Sequence, residues 1–162
     1  MILLTQILVA TDFSDASEVA LEYGRALART FGASLHLLHV MENTFLRPSP
    51  SDPYLLKAGA AKHLGERLSA DDRVTLHAHA ALETSDDPAE TIVKYAGEHQ
   101  IGLIVMGTHG RGGMARMLTG SVAEKVVRTA PCPVLTVRHP EHDFVVPDAA
   151  SSTAHLSSGG LS

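Results

Sequence analysis

Gly107, Gly110, Gly120 and Ser121 have the types and the spacing to hold an anion. They lie in GTHGRGGMARMLTGS (107–121), which carries five glycines and no acidic residue and directly follows the apolar run IGLIVM. Without Cβ atoms a main chain can turn sharply or approach a ligand closely. Backbone N–H groups at a strand exit and at a helix N-terminus can then converge on a phosphate. Ser121 adds a hydroxyl, and Arg111 and Arg116 add positive charge. His109 sits in the same stretch, where its ring can face phosphate or water equally well. A second polar group, Ala10-Thr11-Asp12, ends the first apolar run, QILVA (6–10). Acids at strand ends in open α/β sheets often meet ligands, which makes Asp12 a candidate contact; its other reading is a turn former.

What the glycine stretch lacks is equally informative. It has no Gly-Lys-Ser/Thr and no lysine, so the parts of P-loop phosphoryl transfer are missing. ATDFSDAS after the first strand has no glycine, so the dinucleotide fingerprint fails too. The stretch reads as a grip on phosphates rather than an engine for moving them. The alternative, glycines that only shape a long strand-to-helix turn, stays open.

Elements must position these groups. A strand over 6–10, starting near Ile2, leads into a helix capped by Ser14, with Asp15 and Glu18 in its first turn. Ala16, Ala20, Tyr23, Leu27 and Phe31 recur on one helical face, and Gly32 is the stop. SLHLLHVM (34–41) is a second strand, and the proline-rich ENTFLRPSPSDP a loop. Leucine and alanine at every fourth position predict a helix from Tyr54 to Ser69. RVTLHAHA (73–80) alternates, which predicts a third strand with one wetter face. DPAE (87–90) starts another helix, with Asp87 as cap, Pro88 in the first position and Glu90 closing a capping box. IGLIVM (101–106) is a buried strand, Val122 to Ala130 a helix, and residues 133–138 the last strand. Strands alternating with helices imply an α/β fold with a parallel sheet, right-handed crossovers and helices on both faces. If the first and fourth strands are neighbours where strand order reverses, Asp12 and the glycine stretch face one crevice.

Bulk properties narrow the classes. With 162 residues, 44% hydrophobic, the chain suffices for one domain with a full core. A net charge of −5 without a polybasic run argues against nucleic acid as partner. No apolar run approaches a membrane span, and the start lacks the pattern of a signal peptide. One cysteine, Cys132, allows no internal disulfide and reads as an inert packed thiol. The expected compartment is the cytoplasm. Among ten histidines, His77 and His79 share a face of the expected third strand, without a third ligand spaced to complete a metal site. His36 and His39 fall on opposite faces of their strand.

Taken together, these residues resemble the universal stress protein family, whose nucleotide-binding members carry Gly-x₂-Gly-x₉-Gly-Ser/Thr. Gly107, Gly110, Gly120 and Ser121 fit that motif without a gap, ILVATDFSDAS resembles the family's opening strand, and APCPVLTVR its closing one. The resemblance covers about residues 2 to 139. It implies a Rossmann-like, open five-stranded parallel sheet of order 3-2-1-4-5 with ATP at the junction of the first and fourth strands. Carried over by position, Ala10, Thr11, Asp12 and Val40 would surround adenine and ribose. Met106, Gly107, Thr108, His109, Gly110, Arg111, Gly120, Ser121 and Val122 would hold ribose and phosphates. Mg²⁺ or Mn²⁺ would ride on the phosphates, without a protein-only metal site. A homodimer would form through the last strand, Pro133 to Val137. Ala10 stands where many members have proline. The expected domain is 1–140, with a tail over 141–162. The expected function is a nucleotide-dependent binding module with an unnamed protein partner. A slow ATPase or phosphotransferase, and a dimeric scaffold without nucleotide, are the alternatives.

Overall fold

A computed structural model describes residues 1–43, 52–108 and 121–138. The expected tail, most of the proline-rich loop, and His109, Gly110, Arg111, Arg116 and Gly120 lie outside the described residues.

The first strand, β1 (Gln6–Ala10), is short and wholly enclosed: Ile7, Leu8 and Val9 have no exposed surface. Its apolar triplet fits a strand covered on both faces. Ile2 and Leu3, expected to begin it, are instead exposed. Helix α1 (Asp15–Phe31) starts as its sequence requires, with the Ser14 Oγ accepting from the Ser17 N–H. It ends at Gly32, whose left-handed backbone (φ 65°) lets its N–H return to the Ala28 carbonyl. The buried face of α1 runs through Ser17, Ala20, Leu21, Gly24 and Ala28. Of the stripe expected from sequence, Ala16 and Ala20 are buried, Tyr23 and Leu27 pack partly buried at the margin, and Phe31 is exposed.

Strand β2 (Ser34–Met41) is followed by α2 (Pro53–Glu66), capped by Asp52. The region expected to be the third strand is different. Residues Ala70–Thr75 form a short helix, α3, and β3 spans His79–Thr84. The reason is local. Ser69 and Asp72 close a reciprocal capping box, Ser69 Oγ accepting from the Asp72 N–H while the Asp72 carboxylate accepts from the Ser69 N–H. The alternation of Val74, Leu76, Ala78 and Ala80 only mimics a strand: Val74 is exposed, and Leu76 and Ala78 are buried on the way out of the helix.

Helix α4 (Pro88–Glu98) has the expected cap, with Asp87 Oδ1 accepting from the Glu90 N–H. The Asp87 N–H is taken by the Ser85 hydroxyl at 3.1 Å, the role expected for the Glu90 side chain. Strand β4 (Leu103–Gly107), helix α5 (Ser121–Thr129) and strand β5 (Val134–Val137) complete the order.

All strand pairs are parallel, in the order β3-β2-β1-β4-β5. One core, containing Leu21, Leu35, Leu37, Leu64 and Val105, packs under α1 and α2. The other, containing Leu8, Leu38, Ile92, Ile104 and Val126, packs under α4 and α5. Helices thus cover both faces, and the order reverses between β1 and β4.

Candidate functional site

The reversal places two chain exits side by side. Ala10 of β1 lies opposite Met106 of β4, so Thr11-Asp12 and Gly107-Thr108 emerge together at the carboxyl edge of the sheet. This is the position where open α/β sheets hold ligands. Helix α5 follows β4 and must return antiparallel to it, which puts its N-terminus at the same edge. Val122 in its first turn packs against the cluster holding Ala10 and Met106, and Val40 joins from β2. Four of the expected contacts, Ala10, Val40, Met106 and Val122, therefore belong to one apolar cluster, with Ala10 and Met106 buried in it and Val40 and Val122 partly buried against it. Ser121 is the exposed first residue of α5, beside N–H groups that have no partner within the helix.

The β1–α1 turn is tightly organised. Thr11 donates its N–H to the Leu38 carbonyl at 2.9 Å. Its hydroxyl accepts from the Phe13 N–H at 3.1 Å and meets the Ser17 hydroxyl at 3.0 Å. Ser17 gives its own proton to the Ser14 carbonyl, so Thr11 donates in that pair. The Thr11 carbonyl accepts from His39 Nδ1 at 2.7 Å. Every polar atom of Thr11 thus has a protein partner, and its contribution is to fix the turn. Asp12 Oδ1 accepts from the Ser14 N–H at 3.0 Å and also from the Ser14 hydroxyl. The turn-former reading of Asp12 is fulfilled, at a place where the carboxylate also borders the crevice.

Phe13 is held at φ 63°. For a residue with a Cβ this left-handed state costs about 1–2 kcal/mol. Its ring packs against His39 at 4.4 Å and His63 at 4.5 Å, with the Arg67 guanidinium 5.8 Å away. Arg67 in turn pairs with Glu18 at 3.0 Å. Sequence reading placed His39 on the face opposite His36 but gave no role to it or to Phe13, Ser17, His63 and Arg67. Phenylalanine carries no signal for a left-handed turn, and the residues that hold it come from three separate elements.

Gly107 fits without reference to any ligand. A Cβ there would lie 2.8 Å from Ala16 Cβ and 3.0 Å from the Ala16 carbonyl carbon. The end of β4 thus presses against the first turn of α1, and Thr108 is fixed behind it, its N–H reaching the Val137 carbonyl at 2.8 Å.

The histidines divide by face. His36 points under α4, bonded to Gln6 at 2.8 Å and to the Tyr95 hydroxyl at 3.0 Å, while His39 meets the β1–α1 turn. With the Gln6 oxygen accepting from Nε2, Nδ1 accepts from Tyr95. Burial, with His79 and His99 close by, pushes the His36 imidazole down to about 4. His77 precedes β3 in a left-handed backbone (φ 46°) and shares no strand face with His79. Among the described residues no group of three His, Cys, Asp or Glu could hold a metal. Cys132 is half-buried, and burial raises its thiol.

The carboxyl edge thus holds a helix N-terminus, the exposed Ser121 and the carboxylate of Asp12, with the buried Thr108 and an apolar cluster behind them. That donor set suits a phosphorylated ligand with a flat apolar part. A cation there would be held chiefly by the ligand's own oxygens.

Comparison with known proteins agrees with this arrangement. The sequence profile of the universal stress protein family matches residues 4–138. A universal stress protein from Thermus aquaticus is 36% identical over 140 residues, covering 82% of this chain and 97% of the relative. The structure of the universal stress protein UspA from Lactobacillus plantarum superposes with a TM-score of 0.71 at 28% identity, covering 85% of this chain and all of that one. The fold is also that of a universal stress protein from Archaeoglobus fulgidus solved in complex with dAMP, with a TM-score of 0.62 at 24% identity over 84% of this chain and 99% of that one. No helix among the described residues is long and apolar enough to cross a membrane.

Proposed function

Since the chain belongs to the universal stress protein family, we propose that it is a regulatory module that binds an adenine nucleotide, ATP with Mg²⁺ or Mn²⁺, at the β1/β4 edge. One observation carries the reading: β1 and β4 are paired with Ala10 opposite Met106, at the point where strand order reverses. It sets Asp12 and Gly107 at the carboxyl ends of neighbouring strands, which supports a shared crevice for the ligand. The Gly-x₂-Gly-x₉-Gly-Ser pattern of Gly107, Gly110, Gly120 and Ser121 supplies the phosphate grip, with Thr108, His109 and Arg111 beside it. The patch of Ala10, Val40, Met106 and Val122 supplies the surface for the base. The dAMP held by the Archaeoglobus relative supports the ligand class.

In this reading the protein acts in the cytoplasm as a stress-response homodimer, paired through Pro133–Val137, and changes its protein partner with nucleotide state. β5 is an outer strand of the sheet, which suits that pairing. No observation among the described residues favours the alternative of slow hydrolysis.

Mass spectrometry of the natively purified protein tests the ligand, and titration calorimetry with ATP, ADP and AMP tests its affinity. Bound adenine nucleotide, lost in Gly120→Val, is the expected result. No copurified nucleotide and no heat with any of the three would overturn the reading. Light scattering of Thr136→Pro against the parent checks the dimer, since proline removes a ladder donor.

A further inference from the structure

We propose that His39 is a positioning residue for the nucleotide edge, holding the β1–α1 turn in the shape that presents Asp12. The proposal rests on the nucleotide reading above and adds a residue that the glycine motif does not contain. Much of the bonding that shapes the turn is local: Phe13 N–H to the Thr11 hydroxyl, Ser14 N–H to Asp12, Thr11 to Ser17. Such bonds fix the turn's internal shape and leave its place relative to the sheet open. Gly107 of β4 seats the far end of the turn against α1, and two bonds from the end of β2 seat the near end. One is the ladder bond from the Thr11 N–H to the Leu38 carbonyl. The other is the 2.7 Å bond that His39 Nδ1 donates to the Thr11 carbonyl.

The His39 ring adds a second, smaller contact, which His63 shares. Phe13 stays in a left-handed backbone that phenylalanine disfavours, so something must hold it there. The His39 ring lies 4.4 Å from the Phe13 ring, so one imidazole grips the residues on either side of Asp12. His63 closes over the far side from α2. A carbonyl can only accept, so Nδ1 carries a proton and the bond survives in both the neutral and the charged imidazole.

Two variants separate the donor from the ring. His39→Phe keeps an aromatic ring and removes the donor. His39→Asn removes the ring and keeps an N–H donor at the place of Nδ1. Two measurements on the full chain are read together: amide exchange of the segment 11–14 without ligand, and ATP affinity by calorimetry. Loss of one buried bond predicts exchange about tenfold faster in His39→Phe and ATP binding about tenfold weaker. His39→Asn should restore both to within about threefold, and His39→Phe should stay folded while melting a few degrees below the parent. Equal exchange in parent and His39→Phe overturns the proposal, as does His39→Asn behaving no better than His39→Phe. Failure of the parent itself to bind any adenine nucleotide overturns the nucleotide reading instead, and the exchange data still decide whether His39 holds the turn.

Discussion

Acidification should weaken this fold through His36. In the native protein this imidazole titrates at about 4, against an ordinary 6.5 in the unfolded chain. Above the unfolded value both states are neutral, and the residue favours neither. Between the two values the unfolded chain takes up a proton that the native protein refuses, so stability falls as pH falls. The loss is complete once pH drops through the native value. The separation corresponds to about 3 kcal/mol in total, of which about 2 kcal/mol is already lost near pH 5. The residue is only 5% exposed, so solvent does little to screen the effect. Against a typical stability of about 5–15 kcal/mol, that is a large fraction. Urea unfolding at about pH 7.5, 6 and 5 reads it directly, as a midpoint shift on the order of 1 M between the extremes. His36→Gln provides the control. It keeps a donor for Gln6, cannot take up a proton, and should show a flatter dependence from a lower starting stability. An unchanged pH slope in His36→Gln would refute the reasoning, because the proton would then be going elsewhere.

Three further outcomes follow from the geometry. Gly107→Ala should lower stability by about 1–3 kcal/mol with or without nucleotide, since its methyl would press on the α1 backbone; thermal melting checks this. Asp72→Ala should cost about 1–3 kcal/mol in urea unfolding, because it removes the Arg25 pair that joins α3 to α1 and opens the Ser69 cap of α3, while Arg25 keeps Glu22 and the Arg67 carbonyl. Burial pushes the Asp72 carboxyl up, but the Ser69 N–H and the Arg25 charge outweigh it and hold it below the usual range. Its contribution is therefore present above about pH 4 and lost below, so Asp72→Asn should flatten the acid limb there, separately from His36. Lys125→Met should remove the exposed ion pair with Asp87 between α5 and the start of α4 and leave the urea midpoint nearly unchanged, because solvent screens such a pair.

Much of the architecture was legible because it is written in long signals. Apolar strands alternate with capped helices, and Ser14, Gly32, Asp87 and Pro88 punctuate the chain where the helices begin and end. The meeting of Asp12 and Gly107 followed from strand order, which the family resemblance supplied and the pairing of β1 with β4 bears out. What failed was short. Residues 73–80 alternate for eight positions, and the alternation hid a six-residue helix whose only sequence sign was Ser69 followed by Asp72. The stripe of α1 was drawn one residue too far, because Phe31 reads as core by type yet is the exposed last residue of the helix. The parts played by His39 and Phe13 were not legible for a deeper reason. Their roles arise from contacts between β2, the turn and α2, and such contacts leave no periodic trace in any one segment.

The slot at Gly107 bears on how lineages of this fold would change. The hydrogen on its α-carbon faces the main chain of α1, so a glycine is needed there for the sheet and helix to close together. A descendant that gave up its ligand would feel no release at this site and would keep the glycine for packing alone. The first glycine of the pattern therefore records shared ancestry of the fold more faithfully than it records an occupied crevice.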